Sequence, residues 1–593
     1  MVRQVYRTLI LENNMETKWF VANKKADFQS IAEQFHISPV LARIIRNRDI
    51  TQTEQIAYFL QGTLSDLHDC SLLPDVEKGC AVILQSIERH DKIRIIGDYD
   101  VDGICSTHIL KDAIVRAGGV VSCAIPHRMK DGYGLSDQLV MEAKDAGVQT
   151  IITCDNGIAA SAQIALANEL GMRVVVTDHH EVPYAEKDGE TVEILPPAEV
   201  VVDPKCRKSE YPYSGICGAF VAYKFGEMLL RVAGGEQARQ IQDYLDDNLP
   251  FAAIATICDV MELLDENRIV VKYGLKAVSQ TRNTGLRALL SVLELTETKL
   301  DPYHIGFIIG PCINATGRLD SARRALELFG TDDEREAVLL ATQLRQMNEE
   351  RKEMTRKFTE KAIQMIECRQ IPQVIVLYLP DCHESLAGII AGNIRERYER
   401  PAIVITKAEE GVKGSARSIE AYNMYEELHK VEELFTKYGG HPMAAGLSMA
   451  SESDVPVLRE RLNANATLKE SDFIHKVLID VPMPISYVSP AIIDEIEKLE
   501  PYGTGNPKPV FAQKNVRLSN GRVLGKNRNV ASFRLTDGEG HFFDAIYFGE
   551  ADEMVAQIEA HQGICDIVYY PSFHEYRGNK TIQIVIKYYG FRS

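Results

Sequence analysis

The sequence predicts an α/β protein of several domains that ends in a small β-barrel. From about residue 76, short apolar runs alternate with helical stretches, which is typical of a parallel sheet covered by helices. A second alternation of this kind begins at residue 371. The last segment is rich in short strands separated by DG, NG and RGN turns, a pattern that favours a β-barrel.

Composition sets the class of protein. The chain has 593 residues, so three or four domains are expected. Apolar residues make up 45% and charged residues 25%, which excludes wholesale disorder. The sequence contains neither an apolar run of about 18 residues nor a secretory signal pattern, so we expect a cytoplasmic protein without membrane contact. The 12 scattered cysteines include no CxxC pair and predict buried thiols rather than zinc ligands or disulfides.

The first two predicted segments are 1–75 and 76–330. Residues 1–75 have a polar, helical pattern without evident chemistry. In 76–330, the runs IRIIGDYD, VVSCAIP, TIITCDNG, RVVVTDHH and EVVVDP predict strands, and each ends in polar residues. Residues 218–300 predict mainly helices. Ligands of such sheets bind beyond the carboxyl ends of the strands, where these polar residues fall.

Three further segments complete the chain. Residues 331–370 are highly charged, contain neither Gly nor Pro and predict one long connecting helix. Residues 371–465 predict the second α/β domain, and 466–593 a linker followed by the barrel. Although the formal net charge is −18, residues 501–593 carry 11 Lys and Arg against 9 Asp and Glu. The barrel region is therefore mildly basic in an acidic chain, and nucleic-acid binding needs such local cations.

The first chemical cluster lies in IIGDYDVDG. Asp98, Asp100 and Asp102 follow an apolar strand at alternate positions, with glycines on both sides that permit a tight turn. Three neighbouring carboxylates repel one another unless a cation neutralises them. An acidic turn without a ligand is the alternative when this segment is considered alone.

Three other apolar segments also end in acid or imidazole. Asp155 ends TIITCDNGI, Asp178, His179 and His180 end VVVTDHHE, and Asp259 lies in FAAIATICDVMEL. Carboxylate and imidazole without thiolate suit Mn²⁺ or Mg²⁺. About seven candidate ligands exceed the needs of one ion, so we expect two divalent ions, which can activate a water and stabilise a leaving oxygen in phosphoryl transfer.

These segments resemble the four motifs of the DHH phosphoesterase superfamily: IGDYDVDG, CDNGI, TDHHE and ATICDVMEL. Other segments, in order, resemble the RecJ family within it: VVDPK, ICGAFVAYK, IGPCINATGRLDSA, HESLAGIIAGNIRERYERPAIVI, KGSARSI, YGGHPMAAGLSM and EPYGTGNPKPVF. The resemblance covers about residues 75–590. It implies a DHH domain, a DHH-associated domain joined to it by the long helix, and a C-terminal OB-fold.

The same resemblance implies a 5′→3′ exonuclease that acts on single-stranded DNA in recombination and repair, releases 5′-mononucleotides and needs Mn²⁺ or Mg²⁺. It implies that Asp100 and Asp155 bind one ion, and that Asp155 also joins the ligands of the other. The further ligands of that second ion would be Asp102, His179 and Asp259. Asp98 is a further ligand candidate, and His180 would contact the scissile phosphate or the leaving group.

Substrate-binding residues are expected in two loops and one helix. KGSARS and the Gly-rich YGGHPMAAG can cradle phosphate. By resemblance, the nucleic-acid-binding residues would be Asn314, Arg318, Ser415, Arg417, Gly439, Gly440 and His441. In the barrel, five cations accompany Phe533, Phe542, Phe543 and Tyr547, and we expect at least half of these aromatic residues to form barrel core rather than stack on bases.

Two residues depart from the family pattern, and three alternative functions remain open. His383 and Glu384 resemble an HE pair of the family, to which we assign no role. Cys382, directly before that pair, stands where the family commonly has Trp, and Cys312 stands where many members have Arg. The alternative functions are a DHH phosphoesterase acting on short oligonucleotides, 3′-phosphoadenosine phosphate or cyclic dinucleotides, a DHH pyrophosphatase or polyphosphatase, and a non-catalytic DNA-binding homologue. We expect a monomer that cooperates with a single-strand-binding protein and a helicase.

Overall fold

The computed structural model describes residues 17–127, 134–187, 189–234, 238–319, 322–368, 370–576 and 578–591. By their contacts, the residues form two units. The first unit comprises residues 52–351 and 500–507, and the second comprises residues up to 51, 352–499 and those from 508 onward. Among the helices described, none has both the length and the apolar character needed to cross a membrane.

From residue 17, where the description of the N-terminal segment begins, it contains one strand and three α-helices: β1 Lys18–Val21, α1 Phe28–Phe35, α2 Pro39–Asn47 and α3 Thr53–Gln61. The helices were predicted, whereas the strand was not. It pairs in parallel with Lys476–Ile479, so its partner lies far away in the chain and leaves no local signal. Ser38 caps α2 by accepting a hydrogen bond from Leu41 N.

The first sheet has five parallel strands in the order β3-β2-β4-β5-β8. Apolar residues alternate between two cores, since Ile95 faces one side of the sheet and Ile96 the other. The order places the carboxyl ends of β2, β4 and β5 side by side. The elements are α4 Val76–Glu88, β2 Ile93–Ile96, α5 Val101–Arg116, β3 Val121–Ala124, α6 Asp137–Asp145, β4 Thr150–Cys154, α7 Ser161–Glu169, β5 Arg173–Thr177, β6 Tyr184–Lys187, β7 Glu190–Glu193 and β8 Val200–Val202.

Helices complete the first unit: α8 Gly218–Val232, α9 Ala238–Cys258, α10 Asp265–Ser279, α11 Thr284–Val292, α12 Pro302–His304, α13 Gly310–Leu319 and α14 Arg323–Gly330. Buried residues of α5, α8 and α9, among them Ile109, Phe220 and Phe251, form one core with strand residues such as Ile152. The long helix α15, Glu334–Glu367, follows without interruption over 34 residues, as predicted.

The second sheet mixes parallel and antiparallel pairs in the order β12-β13-β11-β10-β9. Apolar cores lie on both of its faces. Its elements are β9 Ile375–Tyr378, α16 Ala387–Tyr398, β10 Ala402–Lys407, β11 Val412–Arg417, α17 Met424–His429, β12 Lys437–His441, β13 Ala444–Met449 and α18 Val455–Asn465.

The C-terminal part is a closed five-stranded barrel in the order β15-β16-β17-β19-β18. The strand β14 and the helix α19 precede the barrel in the chain, and α20 lies between β17 and β18. The bounds are β14 Lys476–Ile479, α19 Pro490–Glu497, β15 Phe511–Leu524, β16 Val530–Thr536, β17 Phe542–Phe548, α20 Ala551–Ala560, β18 Ile564–Tyr576 and β19 Asn579–Gly590. The predicted barrel is therefore present.

Candidate metal centre and nucleic-acid surfaces

The DYDVDG segment forms the turn from β2 to α5. Asp98 is fully buried, Asp100 is the N-cap residue of α5, and Asp102 lies in its first turn. A Cβ atom at Gly103 would lie 2.4 Å from the Asp98 carbonyl oxygen, so glycine allows the helix to approach the strand end. The turn thereby brings three carboxylates to one sheet edge.

Asp102 is fixed by the start of α8. Its two carboxylate oxygens accept hydrogen bonds of 2.7 Å from Gly218 N and Ala219 N. The N-terminus of a helix favours an anion, so this contact holds the Asp102 carboxylate in place. A Cβ atom at Gly218 would lie 2.7 Å from Asp155 Cβ, and glycine is therefore needed there. Sequence reasoning did not assign Gly218 to the site.

Asp155 and His179 follow β4 and β5. Asp155 has a φ of 59°, in the left-handed region that Asp adopts more readily than most residues. His179 Nε2 lies 3.0 Å from Asp155 Oδ1, 3.4 Å from Asp102 Oδ2 and 3.8 Å from Asp259 Oδ2. Carboxylates that follow β2, β4 and α9 therefore surround the imidazole of His179, which itself follows β5.

The six predicted metal ligands and His180 form three overlapping groups, and within each group the ligand atoms lie within 4.8 Å of one another. The groups are Asp98 with Asp100 and Asp155, Asp102 with His179 and Asp259, and Asp155 with His179 and His180. A divalent cation can be held by three such oxygen and nitrogen donors. The shared residue Asp155 makes this donor set suitable for two neighbouring ions.

Electrostatics supports a cation at this place. Burial and the charges of Asp102 and Asp100 raise the pKa of Asp155 well above its ordinary value and that of Asp259 to about 8. Burial and Asp102 likewise raise the pKa of Asp100. Carboxylates packed this tightly favour protonation unless positive charge is supplied. The cluster therefore fits metal ions chemically.

His180 is oriented by a residue that sequence reasoning placed in the cluster without giving it a role. His180 Nδ1 lies 2.8 Å from Asp178 Oδ1, and Asp178 also accepts hydrogen bonds from His179 N and Ile158 N. Burial disfavours the charged imidazole, but Asp178, Asp102 and Asp259 outweigh it and raise the pKa of His180 to about 9. Asp178 thus fixes the ring and favours its protonated form.

We expect the metal-free protein to lose stability as the pH rises from 6 to 9. Asp259 and His180 have folded-state pKa values of about 8 and about 9, above those of the unfolded chain. The stability that each group contributes to the folded state is fully present below the pKa of that group in the unfolded chain. It is lost as the pH rises through the pKa of the group in the folded state. The thermal midpoint in EDTA should therefore fall over this range, and Mn²⁺ should reduce the fall. A midpoint that rises with pH would contradict this electrostatic account.

Asn314 and Arg318 lie one helical turn apart on α13, and both are half-buried. A Cβ atom at Gly317 would lie 2.5 Å from the carbonyl oxygen of Tyr99, between Asp98 and Asp100. α13 therefore packs closely against the acidic turn. Cys312, on the same helix, is buried and accepts a hydrogen bond from Asn348 Nδ2.

The other predicted binding residues share one part of the second sheet. Arg417 pairs with Ala444, which pairs with His441, and Ser415 pairs with Gly446, which pairs with Gly439. Directly opposed residues point to the same face, so Ser415, Arg417, Gly439 and His441 lie on one face. A Cβ atom at Gly439 or Gly446 would have no atom within 4 Å. The face thus has an open glycine floor beside the row that carries Arg417 and His441.

Three residues near this face, Gly440, Lys413 and His383, have structural roles or contacts. Gly440 has a φ of 148°, and a Cβ atom there would lie 2.4 Å from Ala444 O, so this glycine has a backbone role. Lys413, on the same face, lies 3.3 Å from Glu384, the acid of the HE pair. His383 caps the short helical turn Glu384–Leu386. The HE pair therefore has visible structural contacts.

The barrel exposes all five predicted cations: Arg517, Arg522, Lys526, Arg528 and Arg534. The register places Phe533, Phe543 and Tyr547 on the barrel face that carries the buried Ala531, Leu535 and Ala545, which favours the prediction that at least half of the four aromatic residues form core. Phe533 is buried, Phe543 and Tyr547 are half-buried, and Phe542 is 56% exposed. Phe542 pairs with Thr536 and shares the outer face of β17 with the exposed Asp544 and Phe548, so it lies outside the barrel core.

Comparisons with known proteins agree with this architecture. Residues 92–254 match the DHH family N-terminal domain, 372–467 the DHHA1 domain and 479–588 the RecJ OB domain. The single-stranded-DNA-specific exonuclease RecJ of Bacillus subtilis (strain 168) is 34% identical over 576 residues, which cover 96% of this chain and 70% of that protein. Its Escherichia coli (strain K12) counterpart is 30% identical over 573 residues, covering 93% and 95%.

Solved structures show the same likeness. RecJ from Thermus thermophilus in complex with Mn²⁺ is 26% identical, with a TM-score of 0.80 and coverage of 97% of this chain and 80% of that one. The same protein has also been solved with Mg²⁺. The predicted fold class and family are confirmed: this chain belongs to the RecJ family of single-stranded-DNA-specific exonucleases.

Proposed function

We propose that this chain is a metal-dependent exonuclease that degrades single-stranded DNA in the 5′→3′ direction and releases 5′-mononucleotides in recombination and repair. The observation that carries the proposal is the convergence of seven acidic and imidazole side chains on three overlapping ligand groups. Mn²⁺ and Mg²⁺ are the expected cofactors, since related RecJ structures contain them.

The ligand groups suggest how two ions would be shared. Asp98, Asp100 and Asp155 would hold one ion, and Asp102, His179 and Asp259 the other, with Asp155 between them. Asp102 is the most firmly placed of these ligands, because two backbone N–H groups fix its oxygens. The presence of all these ligands disfavours the non-catalytic alternative.

Bound in this way, the two ions would supply an activated water and stabilise the leaving oxygen of the phosphodiester. The chain's own residues orient the substrate. His180 is 43% exposed on its side chain and is fixed through Nδ1 by Asp178, so its Nε2 can donate a proton to the scissile phosphate or the leaving oxygen. Asn314 and Arg318 would contact the neighbouring phosphate, for which the planar guanidinium is well suited.

DNA would also bind the face formed by Ser415, Arg417, Gly439 and His441. Small residues on its floor admit a phosphate or sugar, and Arg417 supplies charge that phosphate requires. In the barrel, Arg534 lies 5.7 Å from the centre of the exposed Phe542 ring, a pairing of cation and aromatic that suits stacking with a single-stranded base.

The direct test is digestion of single-stranded DNA labelled at one end in the presence of Mn²⁺. We expect the 5′ label to appear at once as a mononucleotide, while a 3′ label stays on progressively shorter strands. Release from the 3′ end first, or internal cleavage, would contradict the proposed direction. Blunt duplex DNA should resist digestion, and equal rates on both substrates would contradict single-strand selectivity.

The same assay separates the alternative functions. Faster cleavage of di- and trinucleotides than of long strands would favour the short-oligonucleotide phosphoesterases, and phosphate release from pyrophosphate would favour the pyrophosphatases.

Three further expectations stay predictions. They are the monomeric state, cooperation with a single-strand-binding protein and a helicase, and the domain limits at residues 75, 330, 370 and 465. Size-exclusion chromatography with light scattering tests the first of them.

A further inference from the structure

The segment Glu500–Pro507, hereafter the 500–507 strap, has the sequence EPYGTGNP. Its contacts place it in the first unit, although the residues before and after it belong to the second. Gly503 and Asn506 exchange backbone hydrogen bonds of 2.9 and 3.1 Å, and the fully buried Asn506 donates to Pro501 O at 2.9 Å. The strap is therefore a closed turn with its own internal support.

The strap packs against the loop that follows Asp259. Leu263 N donates to Thr504 O at 2.8 Å. A Cβ atom at Gly503 would lie 2.6 Å from Leu263 Cδ1, and one at Gly505, where φ is 72°, would lie 3.1 Å from Glu262 Cβ. Both glycines are therefore required for the close approach of the strap to this loop.

A buried arginine anchors the other end of the strap. Arg268, on α10, is 1% exposed, and its guanidinium donates to Glu500 O at 2.8 Å and to Phe59 O at 2.9 Å. The guanidinium also lies 4.0 Å from the centre of the Phe59 ring. Because α10 begins directly after the Asp259 loop, the strap is fixed both to the end of that loop and to the helix that follows it.

Asp259 needs such support more than the other ligands do. Its side chain is 30% exposed, against 1% for Asp102 and 4% for Asp155. It lies just after the end of α9, where Asp259 N bonds to Ala255 O and Val260 has a φ of 58°. Backbone hydrogen bonds to α9 fix residues 259–261, and Leu263, two residues later, is held by the strap.

We propose that the 500–507 strap is a positioning element for the metal ligand Asp259. It holds the loop 259–264 so that the Asp259 carboxylate stays within reach of His179 and Asp102. This inference rests on the proposed function, because it takes Asp259 as a ligand. It gives the EPYGTGNP segment a role at the metal centre, through the loop rather than by contact with the ions.

The test measures Mn²⁺ binding by calorimetry on the full chain without DNA. Gly503→Ala should weaken the binding of one of the two Mn²⁺ ions by about tenfold, the loss of affinity typical when a residue that supports a metal ligand is changed. The single-stranded DNA affinity in EDTA should stay within about twofold, and the rate at saturating Mn²⁺ should largely recover. Gly306→Ala is the matched control, since its Cβ would lie 3.6 Å from Ile257, an ordinary contact.

A compensating variant isolates the contact. Leu263→Ala removes the atom that the new methyl group would meet, so adding Gly503→Ala to it should weaken Mn²⁺ binding little further. Unchanged Mn²⁺ affinity in Gly503→Ala, equal weakening in Gly306→Ala, or a parallel loss of DNA affinity and thermal stability would overturn the inference. An unaltered chain that binds no Mn²⁺ would overturn the proposed function and the strap's role together.

Discussion

Asp155→Asn should lower the Mn²⁺-dependent rate of single-stranded DNA hydrolysis by about 10³-fold or more, since the metal ions supply several kcal/mol of transition-state stabilisation. Asp155 belongs to two of the three ligand groups and lies 3.0 Å from His179. Asn is the appropriate replacement, because it keeps the shape of the side chain and tolerates the left-handed backbone at this position. The measurement is the initial rate at several Mn²⁺ concentrations.

The same substitution should leave the metal-free protein at least as stable as the unaltered chain. Burial and neighbouring carboxylates raise the pKa of Asp155, so its ionised form is unfavourable in the folded state at neutral pH. A neutral amide removes this cost. A thermal midpoint in EDTA that stays equal or rises, together with lost activity, separates a metal ligand from a structural residue. Full activity in Asp155→Asn would contradict the assignment.

Arg417→Ala should raise the KM for single-stranded DNA by about 10- to 100-fold, the loss expected when a charge-assisted hydrogen bond to phosphate is removed. The turnover number should change little, because Arg417 lies on the second sheet rather than among the metal ligands. The salt dependence of binding should also weaken by about 0.7 in the logarithmic slope, the value for one phosphate contact on a single strand. Binding titrations at several salt concentrations measure both quantities.

Lys407→Ala provides the matched control for Arg417. Lys407 lies on the same sheet, paired with Val412, so it faces the side opposite to Arg417 and is exposed. We expect its loss to leave KM and the salt slope unchanged. Arg417→Lys should give an intermediate effect, because an ammonium keeps the charge but not the bidentate geometry. Equal effects of the two alanine substitutions would show that binding depends on net charge rather than on this face.

Much of the fold and of the metal centre follows from local pattern. Apolar runs that end in Asp or His predict buried strands, and parallel strands bring their ends to one edge; Asp98, Asp155 and His179 obey this rule. Asp259 was identified from an acid in an apolar run, and it follows the end of a helix that reaches the same place. Residue type and order along the chain therefore contain most of the information about the ligands.

The remaining features depend on contacts between distant segments. The N–H groups of Gly218 and Ala219 that fix Asp102 are backbone atoms and leave no residue-type signal. The orienting role of Asp178 becomes visible only when the direction of its hydrogen bonds is known. The strand Lys18–Val21 and the 500–507 strap both depend on partners far away in the sequence.

Anomalous scattering from a crystal of the full chain grown with Mn²⁺ tests the central claim most directly. Two peaks about 4 Å apart, one beside Asp98 and Asp100 and the other beside His179 and Asp259, with Asp155 reaching both, are the predicted result. A crystal saturated with Mn²⁺ that shows no peak among these side chains would contradict the account.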